Sequence, residues 1–172
     1  MTINRIPAIF GVFGFLFVIQ EALLNRINFL VGGFSLYLAF FVAWVMQEER
    51  NSAVVTGFIA GLIADLSPTL EAPFGLWTFV LTAISYILAN NVKSALDSDL
   101  SPITMSLVAV FGSLTALSTF LIAGAILGQD VGSGFYIFRQ LFGNSLWTLL
   151  LSPLYAPIAI KLYRATLTAR SR

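Results

Sequence analysis

The chain has 172 residues, of which 58% are hydrophobic and 10% charged, with a formal net charge of +1. Soluble domains carry about 25% charged residues, so this composition excludes a soluble globule and indicates an integral membrane protein. Cysteine and histidine are both absent. That excludes disulfides, thiolate chemistry, Cys/His zinc sites and any mechanism with an imidazole base. No basic run with interleaved aromatics points to nucleic acid.

Six hydrophobic segments follow one another. The first, Ile6–Leu24, comes after Arg5 and lacks a small-x-small cleavage pattern, so it reads as an uncleaved transmembrane helix. After the tight Asn25-Arg26 turn the second runs Ile27–Met46. The polar break Gln47-Glu48-Glu49-Arg50-Asn51 leads to the third, Ser52–Asp65, which is short for a span of about 20 residues. Pro68, Pro73 and Gly75 set a structured turn before the fourth, Leu76–Asn90. A loop over Lys93–Asp99 precedes Ser101-Pro102, an N-cap with proline at the first helical position. The fifth segment runs Ile103–Leu127 and is broken by Gly128–Gly134. Phe135–Gln140 is expected at the interface, before a sixth segment, Leu141–Leu162, kinked by Pro153 and Pro157. Short loops leave no room for a soluble domain. The expectation is an all-α bundle of six transmembrane helices over residues 1–172.

Basic residues set the expected orientation. With the N-terminus inside, the cytoplasmic side holds Arg5, Arg50, Lys93, Lys161, Arg164, Arg170 and Arg172, against Arg26 and Arg139 outside. Seven against two is a positive-inside bias, and an even number of spans puts both termini in the cytoplasm. The basic tail is attracted to anionic lipid. Trp77, Tyr136 and Trp147 then read as anchors at the external interface.

The third segment holds the most specific pattern, Gly57-x3-Gly61-x3-Asp65. Residues four apart advance one turn plus about 40°, so the three share a stripe with the carboxylate roughly 12 Å beyond the first glycine. Small residues allow close helix approach, and an ionisable group at membrane depth must face protein or water. The stripe reads as a contact surface ending in a charge. Gly124-x3-Gly128 and Ala39-x3-Ala43 are weaker cases, and Ser113, Thr115, Ser118 and Thr119 offer hydroxyl bonds across helices at about 0.6 kcal/mol each.

Catalytic patterns fail one by one. Gly33-Phe34-Ser35-Leu36 and Gly143-Asn144-Ser145-Leu146 have the Gly-x-Ser-x form of rhomboid proteases, but those enzymes need a histidine, and no Ser-x-x-Lys replaces it. Aspartyl chemistry needs two carboxylates in one site. Asp65 has only Glu21, Glu71 and Asp130 as candidate partners, and the last two read as solvated loop charges. No phosphate-binding Gly-x4-Gly-Lys-Ser/Thr occurs. A proton pathway needs several ionisable groups within the spans, where Asp65 stands nearly alone. What remains is recognition, with no enzymatic activity and no cofactor expected.

Gly57-x3-Gly61-x3-Asp65, the Pro-bearing turn, Gly75 and the helix opening Leu76-Trp77 together resemble the central signature of the MreD family of rod-shape-determining membrane proteins. Asn144 and Pro153 in the closing segment fit more loosely. The resemblance implies a non-enzymatic component of the bacterial wall-elongation complex in the cytoplasmic membrane. It implies binding to a single-span MreC-like partner and linkage to a RodA-type polymerase, its penicillin-binding transpeptidase and MreB. Gly57, Gly61, Asp65, Gly75 and Asn144 are the positions carried over as a partner or groove surface. On this reading Asp65 caps a groove near the external face by bonding to a helix terminus, a hydroxyl or water.

The alternative is the substrate-binding subunit of an energy-coupling-factor vitamin transporter, which is similar in six-helix design. Such subunits carry Ala-x3-Ala on the first helix. Here that helix has Gly11 and Gly14, while Ala39/Ala43 and Ala60/Ala64 lie on the second and third.

Overall fold

The computed structural model describes residues 5–27, 29, 31–68, 72–92 and 102–168. Glu71, Lys93, Ser101, Arg170 and Arg172, all used above, lie outside the described residues. Those described form seven α-helices: α1 Ile6–Ala22, α2 Leu36–Val45, α3 Arg50–Ala64, α4 Leu76–Ile87, α5 Pro102–Ile126, α6 Gly134–Leu150 and α7 Ser152–Thr168. A 3₁₀ turn, Leu24–Arg26, follows α1, and a π-helical turn, Leu88–Val92, extends α4. No strand occurs among the described residues.

α2 is the axis of the bundle. Every residue from Tyr37 to Met46 is buried, and α1, α3, α5 and α7 all pack on it. A helix that is apolar on all sides needs such a central place. Phe13 of α1 is fully buried against it, edge-on to Tyr37, Phe40, Phe41 and Trp44 at 5.8–6.4 Å between ring centroids. Gly112 brings α5 up to Val42, where a β-carbon would sit 2.8 Å from a valine methyl. The outward faces carry exposed Phe15, Phe79, Phe111, Ile122 and Leu154, apolar surface suited to lipid.

The second segment departs from its sequence reading. Among its described residues only Leu36–Val45 forms an α-helix, about 15 Å long. Residues 31–35 run irregularly against α6 instead. Gly32 has φ +61°, and a β-carbon there would lie 2.3 Å from the Arg139 carbonyl oxygen. Gly143 faces it, where a β-carbon would lie 2.2 Å from the Val31 oxygen. Ser35 then opens α2 by accepting the Leu38 N–H at 3.2 Å. Glycines that permit this contact also stop the helix from starting earlier.

The kink expected in the last segment is sharp enough to divide it into two helices. α6 begins at Gly134, capped by Ser133, and a 69° bend separates it from α7. Pro153 has no N–H to give the Leu149 carbonyl, and the Ser152 hydroxyl donates to that oxygen at 2.8 Å. Pro157 lies inside α7 without ending it. α1 with its following 3₁₀ turn, and α5, are each long and apolar enough to cross a membrane, and the bent α6–α7 pair passes the same test together.

Two hydroxyls of α5 do not bridge helices as expected. Ser113 donates to Val110 and Thr115 to Phe111, carbonyls of their own helix. Nor are two of the expected interface aromatics simple surface anchors. Trp77 stacks on Phe120 at 4.1 Å, and the Trp147 indole donates to the Val31 carbonyl at 3.3 Å.

Candidate functional site

α3 ends one residue before Asp65, whose N–H bonds back to the Gly61 carbonyl at 2.9 Å. Its side chain is buried. α4 starts after Gly75, which sits at φ +100°, a left-handed conformation that favours glycine. Glycine has no side chain with which to cap the helix it precedes, and the first N–H groups of a helix have no partner within it. Asp65 takes that role from twelve residues away in the chain. Its Oδ1 accepts the Trp77 N–H at 2.9 Å, and its Oδ2 accepts the Thr78 N–H at 3.0 Å and the Thr78 hydroxyl at 2.5 Å. The Leu76 N–H reaches the Pro73 carbonyl, and the Phe79 N–H begins the regular ladder on Gly75. Every N–H of the first turn is thus satisfied, and the carboxylate faces the positive end of the α4 dipole.

Gly57 and Gly61 serve the same junction. A β-carbon on Gly61 would lie 2.3 Å from the Thr78 α-carbon and 2.7 Å from the Trp77 oxygen. On Gly57 it would lie 1.9 Å from the Ser85 hydroxyl and 2.6 Å from the Leu81 oxygen. The backbone of α4 therefore fills the glycine stripe, which is a seam within the chain. The partner-facing groove expected from Gly57, Gly61 and Asp65 is corrected accordingly: a second protein could reach these glycines only by displacing α4.

Asn144, by contrast, lies buried at the edge of a cavity. The ends of α1 and α3, the middle of α6 and the starts of α2 and α4 line a cavity of about 350 Å³. Phe17, Phe29, Phe34, Tyr37 and Trp77 give it aromatic walls, and Gln20, Glu21, Ser67, Gln140 and Asn144 give it polar ones. The Gln20 amide braces the wall by donating to the Asn25 side chain at 2.7 Å and the Phe34 carbonyl at 3.1 Å. Glu21 accepts the Ser67 hydroxyl at 2.8 Å. The Asn144 side-chain oxygen accepts the Ser35 N–H at 2.9 Å. Asn144 is 1% exposed, and its amide nitrogen has no hydrogen-bond partner among the described residues.

The carboxylates considered for a catalytic pair each have separate partners. Asp65 is held by α4 and Glu21 by Ser67, while Asp130 accepts the Gly132 N–H in an exposed turn. Among the described residues no three His, Cys, Asp or Glu side chains gather as metal ligands.

A second polar cluster lies at the opposite end of the bundle. Glu48 is fully buried beyond the end of α2. It accepts Arg5 at 3.0 Å and the Trp44 indole at 3.2 Å, and the Arg5 guanidinium lies 5.1 Å from the Tyr163 ring centre. Burial pushes the Glu48 carboxyl above the usual carboxylate range, against the opposing pull of Thr56, Arg5 and Trp44. In sequence Glu48 reads only as part of a polar break. Its place four residues after Trp44, on the same helical face, is the one local hint of an inward direction.

Among known families, residues 3–165 match the one described as rod shape-determining protein MreD. Comparisons with curated proteins and with solved structures give no match. The match spans nearly the whole chain and agrees with the Gly57–Gly75 signature, the all-helical fold and the lipid-suited exterior. The chain belongs to the MreD family of rod shape-determining membrane proteins.

Proposed function

We propose that this protein is a non-enzymatic scaffold of the bacterial wall-elongation complex, set in the cytoplasmic membrane with six crossings and both termini inside. One observation carries the non-catalytic reading. Asp65, the one acid in the signature, has its oxygens committed to three donors of α4, which makes it a structural cap rather than a reacting group.

The arrangement of ends supports six crossings. Arg5, Glu48 and Tyr163 meet at one end, while Gln20, Phe34, Ala64, Trp77 and Gln140 meet at the other. α1 to α4 therefore alternate in direction. α2 is shorter than a bilayer, and the irregular residues before it are half-buried against α6, in keeping with the tolerance of non-helical backbone at membrane depth where it packs on protein. The positive-inside bias puts the cavity on the external side and the Glu48 cluster on the cytoplasmic side.

With the α3 stripe already covered, the surface offered to an MreC-like single-span partner is an apolar groove of about 490 Å³ between α1, α2 and α7, lined by Gly11, Phe15, Phe40 and Tyr155. A β-carbon on Gly11 meets nothing within 4 Å, so Gly11→Leu fills the groove without straining the fold. Co-expression with an MreC-like protein should give co-purification that this variant loses. If the wild-type protein never retains that partner, the scaffold reading fails; if Gly11→Leu retains it, the interface lies elsewhere. RodA-type polymerase, penicillin-binding transpeptidase and MreB would join through that partner. The cavity also suits the transporter alternative, for which tight retention of a vitamin by the purified protein is the discriminating result.

A further inference from the structure

We infer that the cavity lined by α1, α2, α4 and α6 binds a small organic cation, an ammonium group carried on an apolar or aromatic body. The inference does not depend on the scaffold reading, because it rests on the charge and packing of the cavity walls.

Glu21 supplies the charge. It carries the one formal charge among the described lining residues, and no lysine or arginine accompanies it there. The last turn of α1 sets it half-buried in the wall. Its Oε1 accepts the Ser67 hydroxyl at 2.8 Å, a bond that holds the side chain but brings no opposite charge. Arg26, five residues on, is exposed and outside the lining, and the ion pair formed among the described residues is that of Arg5 with Glu48. The second oxygen, Oε2, has no hydrogen-bond partner among the described residues, and it is not one of the polar atoms closed off from solvent. Glu21 therefore presents an open acceptor without a compensating cation.

The neighbouring polar groups are committed to the fold. The Gln20 amide is held by Asn25 and the Phe34 carbonyl, and the Tyr37 hydroxyl donates to the Ala60 carbonyl at 2.6 Å. Phe17, Phe29, Phe34 and Trp77 suit an apolar body, and aromatic rings, negative on their faces, tolerate a cation better than an anion. The volume of about 350 Å³ lies at the small end of small-molecule sites. An anion entering here would meet a like charge, and a neutral molecule would leave the carboxylate uncompensated. An ammonium group, with its three donors, answers both the charge and the free oxygen.

A matched pair of probes tests this directly. Benzylammonium and benzyl alcohol share ring and reach but differ in charge. Saturation-transfer NMR is run at neutral pH on the protein in phosphatidylcholine nanodiscs, with empty nanodiscs as the reference. Benzylammonium should give a signal about five-fold above the alcohol, the upper end for an ion pair that keeps access to water. Glu21→Gln keeps an acceptor for Ser67 and should bring the benzylammonium signal down to that of the alcohol, with the alcohol unchanged. Gly33→Leu should abolish both signals. The three atoms nearest a β-carbon at Gly33 all belong to the flexible Gln140 carboxamide, so the added bulk fills the cavity without pressing on backbone. Both positions are half-buried, and both variants should elute as the wild type does. Equal signals from the two probes, or a benzylammonium signal that survives either substitution, would overturn the proposal.

Discussion

Asp65 provides for α4 the capping side chain that Gly75 lacks. Gly75 allows the chain to turn into α4 at φ +100°, and Asp65 accepts the N–H groups of Trp77 and Thr78 from the end of the preceding helix. Neither residue completes the helix start alone. The pair explains why an acid can sit buried at the end of a glycine stripe without a catalytic role.

Asp65→Ala should destabilise the protein by about 2 kcal/mol, near the upper range for loss of a helix cap. Thr78→Val, which removes one hydroxyl bond, should cost about 1 kcal/mol. Because the two share a network, the double variant should cost less than the sum. Reversible unfolding in mixed micelles measures all three. Additive losses would mean that the carboxylate and the hydroxyl act independently.

Gly61→Ala should be costly because its new methyl meets backbone atoms of Trp77 and Thr78, which cannot rotate away. A loss of about 3 kcal/mol is expected, the upper part of the overpacking range. Gly14→Ala, where a β-carbon meets nothing within 4 Å, should be neutral or slightly stabilising, since alanine favours helix over glycine. Thermal unfolding of the two side by side checks the contrast. Loss of a binding partner in a Gly61 variant would consequently report on the α3–α4 seam before it reported on an interface.

Glu48 gives the protein a defined pH response. Its carboxyl is raised by burial from an ordinary value of 4.5, so the folded state holds the proton more tightly than the unfolded chain. The stability this contributes is fully present below the ordinary value and is lost as pH rises through the raised one. Thermal stability of the wild type should thus gain on lowering the pH from 7 to 5, relative to Glu48→Gln, in which that component is absent. Glu48→Ala should cost about 2–3 kcal/mol, because it leaves the mostly covered Arg5 guanidinium without its partner.

Gly143→Ala should loosen the wall of the cavity. Its methyl would lie 2.2 Å from the Val31 oxygen, pushing residues 31–35 off α6 and stretching the Ser35–Asn144 bond. Hydrogen exchange at the Ser35 amide should accelerate at least ten-fold, while exchange in the core of α2 stays unchanged. Equal protection in both proteins would show that this wall yields without losing the bond.

Where sequence pattern and helix coincide, the reading is close: Ile103–Leu127 is α5 to within one residue at each end, and Leu76–Asn90 contains α4. Apolar runs failed where backbone conformation, not polarity, decides. Ile27–Ser35 reads in sequence as part of a helix, but the close contact of Gly32 and Gly143 holds residues 31–35 on an irregular path. That contact joins residues 111 positions apart, which no local pattern records. The glycines and Asp65 were legible as a contact stripe, whereas what covers them was not. Small residues permit close approach without specifying whether the neighbour belongs to the same chain. Glu48 was hidden for the opposite reason. Its flanking charges, Glu49 and Arg50, are exposed, and burial of one acid among them depends on Arg5 arriving from 43 residues away.

The order of synthesis bears on the cavity. The Asp65–Trp77 bond spans twelve residues, and the Arg5–Glu48 pair spans 43, so both can close while the second half of the chain is still being made. The Ser35–Asn144 bond spans 109. Until α6 has been inserted, the Ser35 N–H lacks this acceptor and one wall of the cavity does not exist. A chain released before α6 would keep the residues of its α3–α4 seam yet lack this wall of the cavity. The shape of this cavity is therefore a property of the finished protein alone.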